Sequence, residues 1–246
     1  MHPYLLHIGY ISLPTFGVLA AVGFMLALAL SERTARLTGL DPEALWNAGL
    51  FAILAAYLLS RLLLIVQHFR SFVAFPILLL AVPSLTATGI LCTLIATALW
   101  LRWRRLPLLR TLDAWAPCAT LAWAFLALGH FAEGSDPGLP TASLLAVHMP
   151  GDSTVQHPVA LYAAALAFIL TAILYRRLQR PTAPGQTAAI ALIAVGLAQF
   201  LLSFLREPGL TFIGPLDALQ LVALALLVTG CLLLTGQKPS AHSFRA

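Results

Sequence analysis

The 246 residues are 60% hydrophobic and 9% charged, with a net charge of +5. A soluble globular chain carries about 25% charged residues, so the composition excludes a water-soluble domain and describes an integral membrane protein. The basic excess lies in short connectors between apolar runs, which reads as membrane topology rather than a nucleic-acid surface, and no nucleic-acid partner is expected.

Crossing ~30 Å of hydrocarbon takes about 20 mostly apolar residues, and a lipid-exposed backbone must satisfy its hydrogen bonds within a helix or a closed barrel. Seven stretches qualify as helices: 13–30, 44–67, 85–101, 114–129, 158–175, 187–205 and 215–235. The expectation is an all-α, polytopic protein with seven transmembrane helices in a single membrane domain over 1–246, ending in a short cytoplasmic tail at 237–246. The first run lacks the basic flank and cleavage site of a signal peptide and is read as a span. The second contains Arg61, in AAYLLSRLLLIVQ. FVAFPILLLAV (72–82) is too short to cross and is broken by Pro76 and flanked by Pro83, so it reads as a re-entrant or interfacial piece. Asp113 is expected to N-cap the fourth span.

Arg33 and Arg36 follow the first span, Arg102, Arg104, Arg105 and Arg110 the third, Arg176, Arg177 and Arg180 the fifth, and Lys238 and Arg245 the seventh. These share one side of a seven-span drawing, which makes that side cytoplasmic, with the N-terminus outside and the C-terminus inside. Arg61, Arg70 and Arg206 stand apart. An arginine at mid-membrane costs at least about 2.5 kcal/mol, so Arg61 either snorkels or serves as a phosphate ligand through its planar fork of donors. Arg206, in FLLSFLREPGL, is an interfacial anchor paired with Glu207 or a second phosphate ligand.

The outer loop 130–157 has no basic residue but holds His130, Glu133, Asp136, His148, Asp152 and His157, spaced by glycines and prolines that imply defined turns. His130 and Glu133 are three apart and share a helix face, the pairing a general base requires. A metal site there would need a third ligand, and the spacing matches no strong zinc signature; no metal or cofactor is expected. In QHPVALY, Pro158 suits a first helical turn, while His157 and Tyr162 are lipid ligands or interfacial belt residues. Cys92, Cys118 and Cys231 lie in apolar runs and read as small buried residues.

Taken together, these fragments resemble the bacterial prolipoprotein diacylglyceryl transferases almost end to end. LLHIGYISLPTFGVLAAVGFMLAL is similar to the family's opening span, SRLLLIV to its intramembrane arginine segment, and LRWRRLPLLRTLDAWAP to its inner loop and next helix. LGHFAEGSDPGLPT aligns without gaps on the signature loop IGNFINGELYGRPT, with Gly129, Gly134 and Gly138 as shared framework. QHPVALYAA falls on RHPTQLYEA, and FLLSFLREP on RFLVEFFREP.

The resemblance implies a transferase in the bacterial plasma (inner) membrane with its active face outward. Such an enzyme moves diacylglycerol from phosphatidylglycerol to the lipobox cysteine thiol of a preprolipoprotein and releases glycerol phosphate. Its partners would be a phosphatidylglycerol-like phospholipid and a preprolipoprotein signal peptide. Arg61, Arg206, His157 and Tyr162 become phosphate- and lipid-binding candidates, and His130 with Glu133 the catalytic pair. The chain departs from the family pattern where Phe16, Thr88, Ala127, His130, Glu133, Ser135, Leu139, Gln199 and Ser203 stand in for other residues. Altered chemistry is therefore one expectation. The alternative is a non-catalytic relative that binds phospholipid or lipoprotein signal peptides on the same scaffold. A transporter or metal-dependent lipid hydrolase is a third reading, resting on the loop alone.

Overall fold

The computed structural model describes residues 4–8, 11–74, 87–143, 145–148, 154–207, 211–213 and 216–236. Its helices are α1 (Thr15–Thr38), α2 (Pro42–Gln67), α3 (Phe69–Ala74), α4 (Ala87–Trp103), α5 (Leu108–Glu133), α6 (Val159–Leu178), α7 (Gln186–Ser203) and α8 (Ala218–Thr235). Three short antiparallel hairpins punctuate them: β1 (Tyr4–Ile8) with β2 (Ile11–Pro14), β3 (Val147–His148) with β4 (Val155–Gln156), and β5 (Thr211–Ile213) with β6 (Leu216–Asp217). Among the described residues six helices are long and apolar enough to cross a membrane. The seventh apolar helix, α4, has 17 residues and at 1.5 Å per residue reaches about 25 Å.

Local chemistry sets several helix ends. Gly39, at φ 71°, stops α1 and donates its N–H to Ala35 O and Arg36 O. Two residues later Asp41 starts α2, accepting from the Glu43 and Ala44 amides, with Pro42 in the first turn. Asp217 starts α8 through a reciprocal capping box with Gln220.

Asp113 does not behave as the sequence reading expects. Helix α5 begins at Leu108, with Pro107 as its N-cap. Asp113, in the second turn, is buried and accepts from Gly185 N at 2.6 Å and Ala188 N at 2.8 Å. It caps the N-terminus of α7, a helix more than seventy residues away, where backbone donors have no partner of their own.

Helix α5 is the most buried of the membrane-length helices and packs on α1, α6 and α7, while α7 pairs with α8 and α2 with α1 and α4. Without a hydrophobic drive in lipid, helices associate through close backbone approach at small residues. A Cβ at Gly196 would stand 2.7 Å from Ala223 O, and one at Gly230 2.8 Å from Ala189 O, so α7 and α8 meet backbone to backbone. At one end of the bundle Ala35, Leu40, Leu45 and Ala114 form a core near the arginine-rich connectors. The opposite end carries the loop of interest. Most of the 72–82 piece, Asp152, Pro208 and the 237–246 tail lie outside the described residues.

Candidate functional site

The site is built on the C-terminal end of α5. Gly134 adopts φ 74°, a left-handed conformation that costs glycine little, and its N–H donates to His130 O and Phe131 O. The Ser135 amide also donates to His130 O, at 3.2 Å. This reversal sets the Ser135 hydroxyl 2.9 Å from His130 Nδ1. The His130 ring packs on Phe16, centroids 4.8 Å apart, and Phe16 also crowds Gly129, where a Cβ would stand 2.7 Å from its ring. His130 is exposed, and its ring contacts Ser135 and Phe16 rather than Glu133. Glu133 is exposed and makes no hydrogen bond or ion pair with the described residues.

Beyond the turn, the chain is laced between two other segments. On one side Leu139 N–H donates to Leu205 O (2.8 Å) and Glu207 N–H to Pro137 O (3.3 Å), with Gly138 bridging Arg206. On the other side His157 N–H donates to Leu139 O (3.1 Å) and Thr141 N–H to Val155 O (3.0 Å), with Pro140 bridging Gln156. Gly138 permits this approach, since a side chain there would collide with the His157 carbonyl and stand 3.0 Å from Val159 Cγ2.

The lacing fixes the charged groups. Arg206 Nη2 lies 3.0 Å from Asp136 Oδ2, with side-chain exposures of 15% and 21%, and Arg206 Nε is buried without a hydrogen-bond partner among the described residues. Tyr162 packs on a cluster of Ala127, Val159, Ala163, Ala164 and Leu202, joined by Trp123 and Leu205. The His157 Nδ1 to Tyr162 hydroxyl distance is 3.5 Å, the outer limit of a hydrogen bond. Along α7, Gln199 and Ser203 occupy the turns leading to Arg206. The Ser203 hydroxyl donates to Phe200 O and accepts from Gln220 Nε2, whereas Gln199 Oε1 is buried without a partner among the described residues.

A groove of about 290 Å³ opens against the same helices, lined almost wholly by apolar groups including Leu112, Trp115, Trp123, Leu192, Val195 and Leu226. Its extent along α5, from Leu112 to Trp123, corresponds to roughly 16 Å of helix rise. Trp123 belongs both to this groove and to the cluster beneath the laced loop.

Of the residues nominated from sequence, the structure brings Arg206, His157, Tyr162 and Gly138 into one assembly, with His130, Gly129 and Gly134 at the adjoining helix end. Arg61 is half-buried on α2, which packs chiefly on α1 and α4 rather than on α6 or α7. Arg206 pairs with Asp136, not with the adjacent Glu207 of the sequence expectation. Sequence reasoning gave Asp136 no role. Charge balance could have pointed to it, because a loop with acids and no Lys or Arg needs a cation from elsewhere, and Arg206 is the single basic residue between Arg180 and Lys238. Among the described residues no three His, Cys, Asp or Glu side chains gather as metal ligands do.

A bundle of membrane-length helices, with a half-buried arginine–carboxylate pair at its loop end and an apolar groove along α5 and α7 nearer the arginine-rich end, defines a polytopic membrane protein with a polar site at one end. The chain belongs to the prolipoprotein diacylglyceryl transferase family, whose model matches residues 3–235. It is similar to the phosphatidylglycerol–prolipoprotein diacylglyceryl transferases of Bordetella parapertussis, at 28% identity over 226 residues covering 88% of this chain and 86% of that one, and of Synechococcus elongatus, at 27% over 247 residues covering 94% and 85%. The enzyme of that name from Chlorobaculum tepidum is 34% identical over 119 residues, or 46% of this chain and 41% of its own.

Proposed function

We propose that this protein transfers the diacylglyceryl group of phosphatidylglycerol to the thiol of a lipobox cysteine in a preprolipoprotein. The carbon–sulfur bond forms at the glyceryl carbon bearing the phosphate, that carbon–oxygen bond breaks, and glycerol phosphate departs with the electron pair. Arg206 holds the phosphate, using donors that Asp136 leaves available, and stabilises the charge that grows on the leaving oxygen. His130 takes the thiol proton; its exposed position suits an acceptor peptide arriving from the aqueous side, and Glu133 acts on it through charge from one turn away. His157 and Tyr162 flank the headgroup, and the apolar groove along α5 receives acyl chain.

The observation that carries this reading is the lacing of 137–141 between 155–157 and 205–207, which fixes a half-buried cation beside a carboxylate at the loop end of the bundle. The same reading makes α4 the seventh span, with the N-terminus outside, the C-terminus cytoplasmic and the laced loop on the outer face. This orientation is supported by the arginines at the other ends of the helices.

Complementation tests it. Expressed in cells depleted of their own transferase, the chain is expected to restore growth and diacylglyceryl-modified lipoprotein, and His130→Ala or Arg206→Ala to abolish the rescue while still inserting in the membrane. Absence of rescue by the properly inserted wild-type chain would refute the activity.

A further inference from the structure

The Arg206–Asp136 pair has a consequence for headgroup choice. An arginine meant only to attract phosphate is best left without a carboxylate, yet here a half-buried acid stands 3.0 Å from the guanidinium. The acid's Oδ1 makes no hydrogen bond with the described residues, and the other acids at this end, Glu133, Glu207 and Asp217, add negative field rather than cancel it. A phosphate bound to the remaining Arg206 donors would therefore sit beside a second anion. Two anions sharing one guanidinium repel unless something between them donates hydrogen bonds. The alcohol esterified to the phosphate is the part of a lipid headgroup that occupies this space.

We infer that Asp136 is a specificity-determining residue that reads the free hydroxyls of a glycerol headgroup, accepting their hydrogen bonds while Arg206 holds the phosphate. The claim rests on the site assignment above but goes beyond it: phosphate alone is not sufficient, and the donor-bearing alcohol is recognised by a carboxylate. In the family's signature loop the acid stands one residue earlier, at the position of Ser135, so the resemblance does not supply this role. Ser135 instead contacts His130, and Asp136 faces the arginine. A site built to bond a hydroxyl discriminates strongly against the analogue lacking it, because the half-buried Oδ1 is then left without a donor beside the phosphate.

The test is equilibrium binding of dioctanoyl lipids to the detergent-purified full chain, followed by its tryptophan fluorescence, so that it is independent of turnover. Wild type is expected to bind phosphatidylglycerol roughly tenfold or more tighter than phosphatidylmethanol, which carries the same phosphate without hydroxyls. Asp136→Ala should bring the ratio close to one, chiefly by tighter binding of phosphatidylmethanol to an unpaired Arg206. Asp136→Asn, which keeps an acceptor oxygen, should retain part of the preference and controls for loss of the fold. Equal binding of the two lipids by wild type, an unchanged ratio in Asp136→Ala, or tighter binding of phosphatidylethanolamine than of phosphatidylglycerol would each overturn the inference. Failure of complementation with the lipid preference intact would instead count against the transferase reading.

Discussion

Gly138 shows how much of this site rests on one missing methyl group. Its neighbours on the inner side are the His157 carbonyl and Cβ and the Val159 side chain, none of them a flexible chain end that could swing away. Gly138→Ala should therefore push the loop off the 155–157 segment, at a cost on the order of 1–3 kcal/mol for an overpacked site. Thermal unfolding in detergent checks the stability loss. Activity should fall further than stability, since the Arg206–Asp136 pair loses its register. Gly39→Ala is the control: that glycine also closes a turn, but a Cβ there meets nothing within 4 Å, and only the left-handed backbone penalty of roughly 1 kcal/mol remains. A Gly39 variant as inactive as the Gly138 variant would show that the loop's close approach is not what matters.

At the scale of elements, the apolar runs in the sequence locate the six membrane-length helices and the shorter α4 among the described residues, because length and hydropathy are properties of each segment alone. What was not legible depends on partners far along the chain. Asp113 looks like a local N-cap, since an acid before an apolar run usually is one; its real work is on Gly185 and Ala188. The lacing of 137–141 is equally hidden, being made of backbone N–H and C=O groups that no side-chain pattern announces. Pro137, Gly138 and Pro140 imply a shaped turn, but not the two segments it lies between. The loop's His/Glu spacing suggested a pair, whereas the left-handed turn at Gly134 brings Ser135 to His130 instead. Asp113→Ala offers a direct measurement at this scale. It leaves two amides of the α7 N-terminus without their buried acceptor, and a loss of roughly 1–3 kcal/mol is expected, read as a lower unfolding midpoint in detergent. Because α7 carries Gln199 and Ser203 toward Arg206, lipid transfer should weaken as well. An unchanged midpoint would mean that water replaces the carboxylate and that this end of α7 is open.

For the whole molecule, the decisive question is which side of the membrane each end faces, since a site on the cytoplasmic side could not meet a translocated signal peptide. The helix order places 142 at the laced end and 179 at the arginine-rich end, separated by the single helix α6, so one crossing relates them whatever the number of spans elsewhere. Ala142 and Gln179 are both exposed, and neither side chain takes part in the site described. In a background with Cys92, Cys118 and Cys231 replaced by serine or alanine, a membrane-impermeant maleimide applied to spheroplasts should label Ala142→Cys and leave Gln179→Cys unlabelled until the membrane is permeabilised. The reverse pattern would turn the bundle over, place Arg206 and His130 in the cytoplasm and remove the proposed acceptor from reach. Equal labelling of both without permeabilisation would mean that α6 does not cross at all, which its twenty residues of largely apolar sequence argue against.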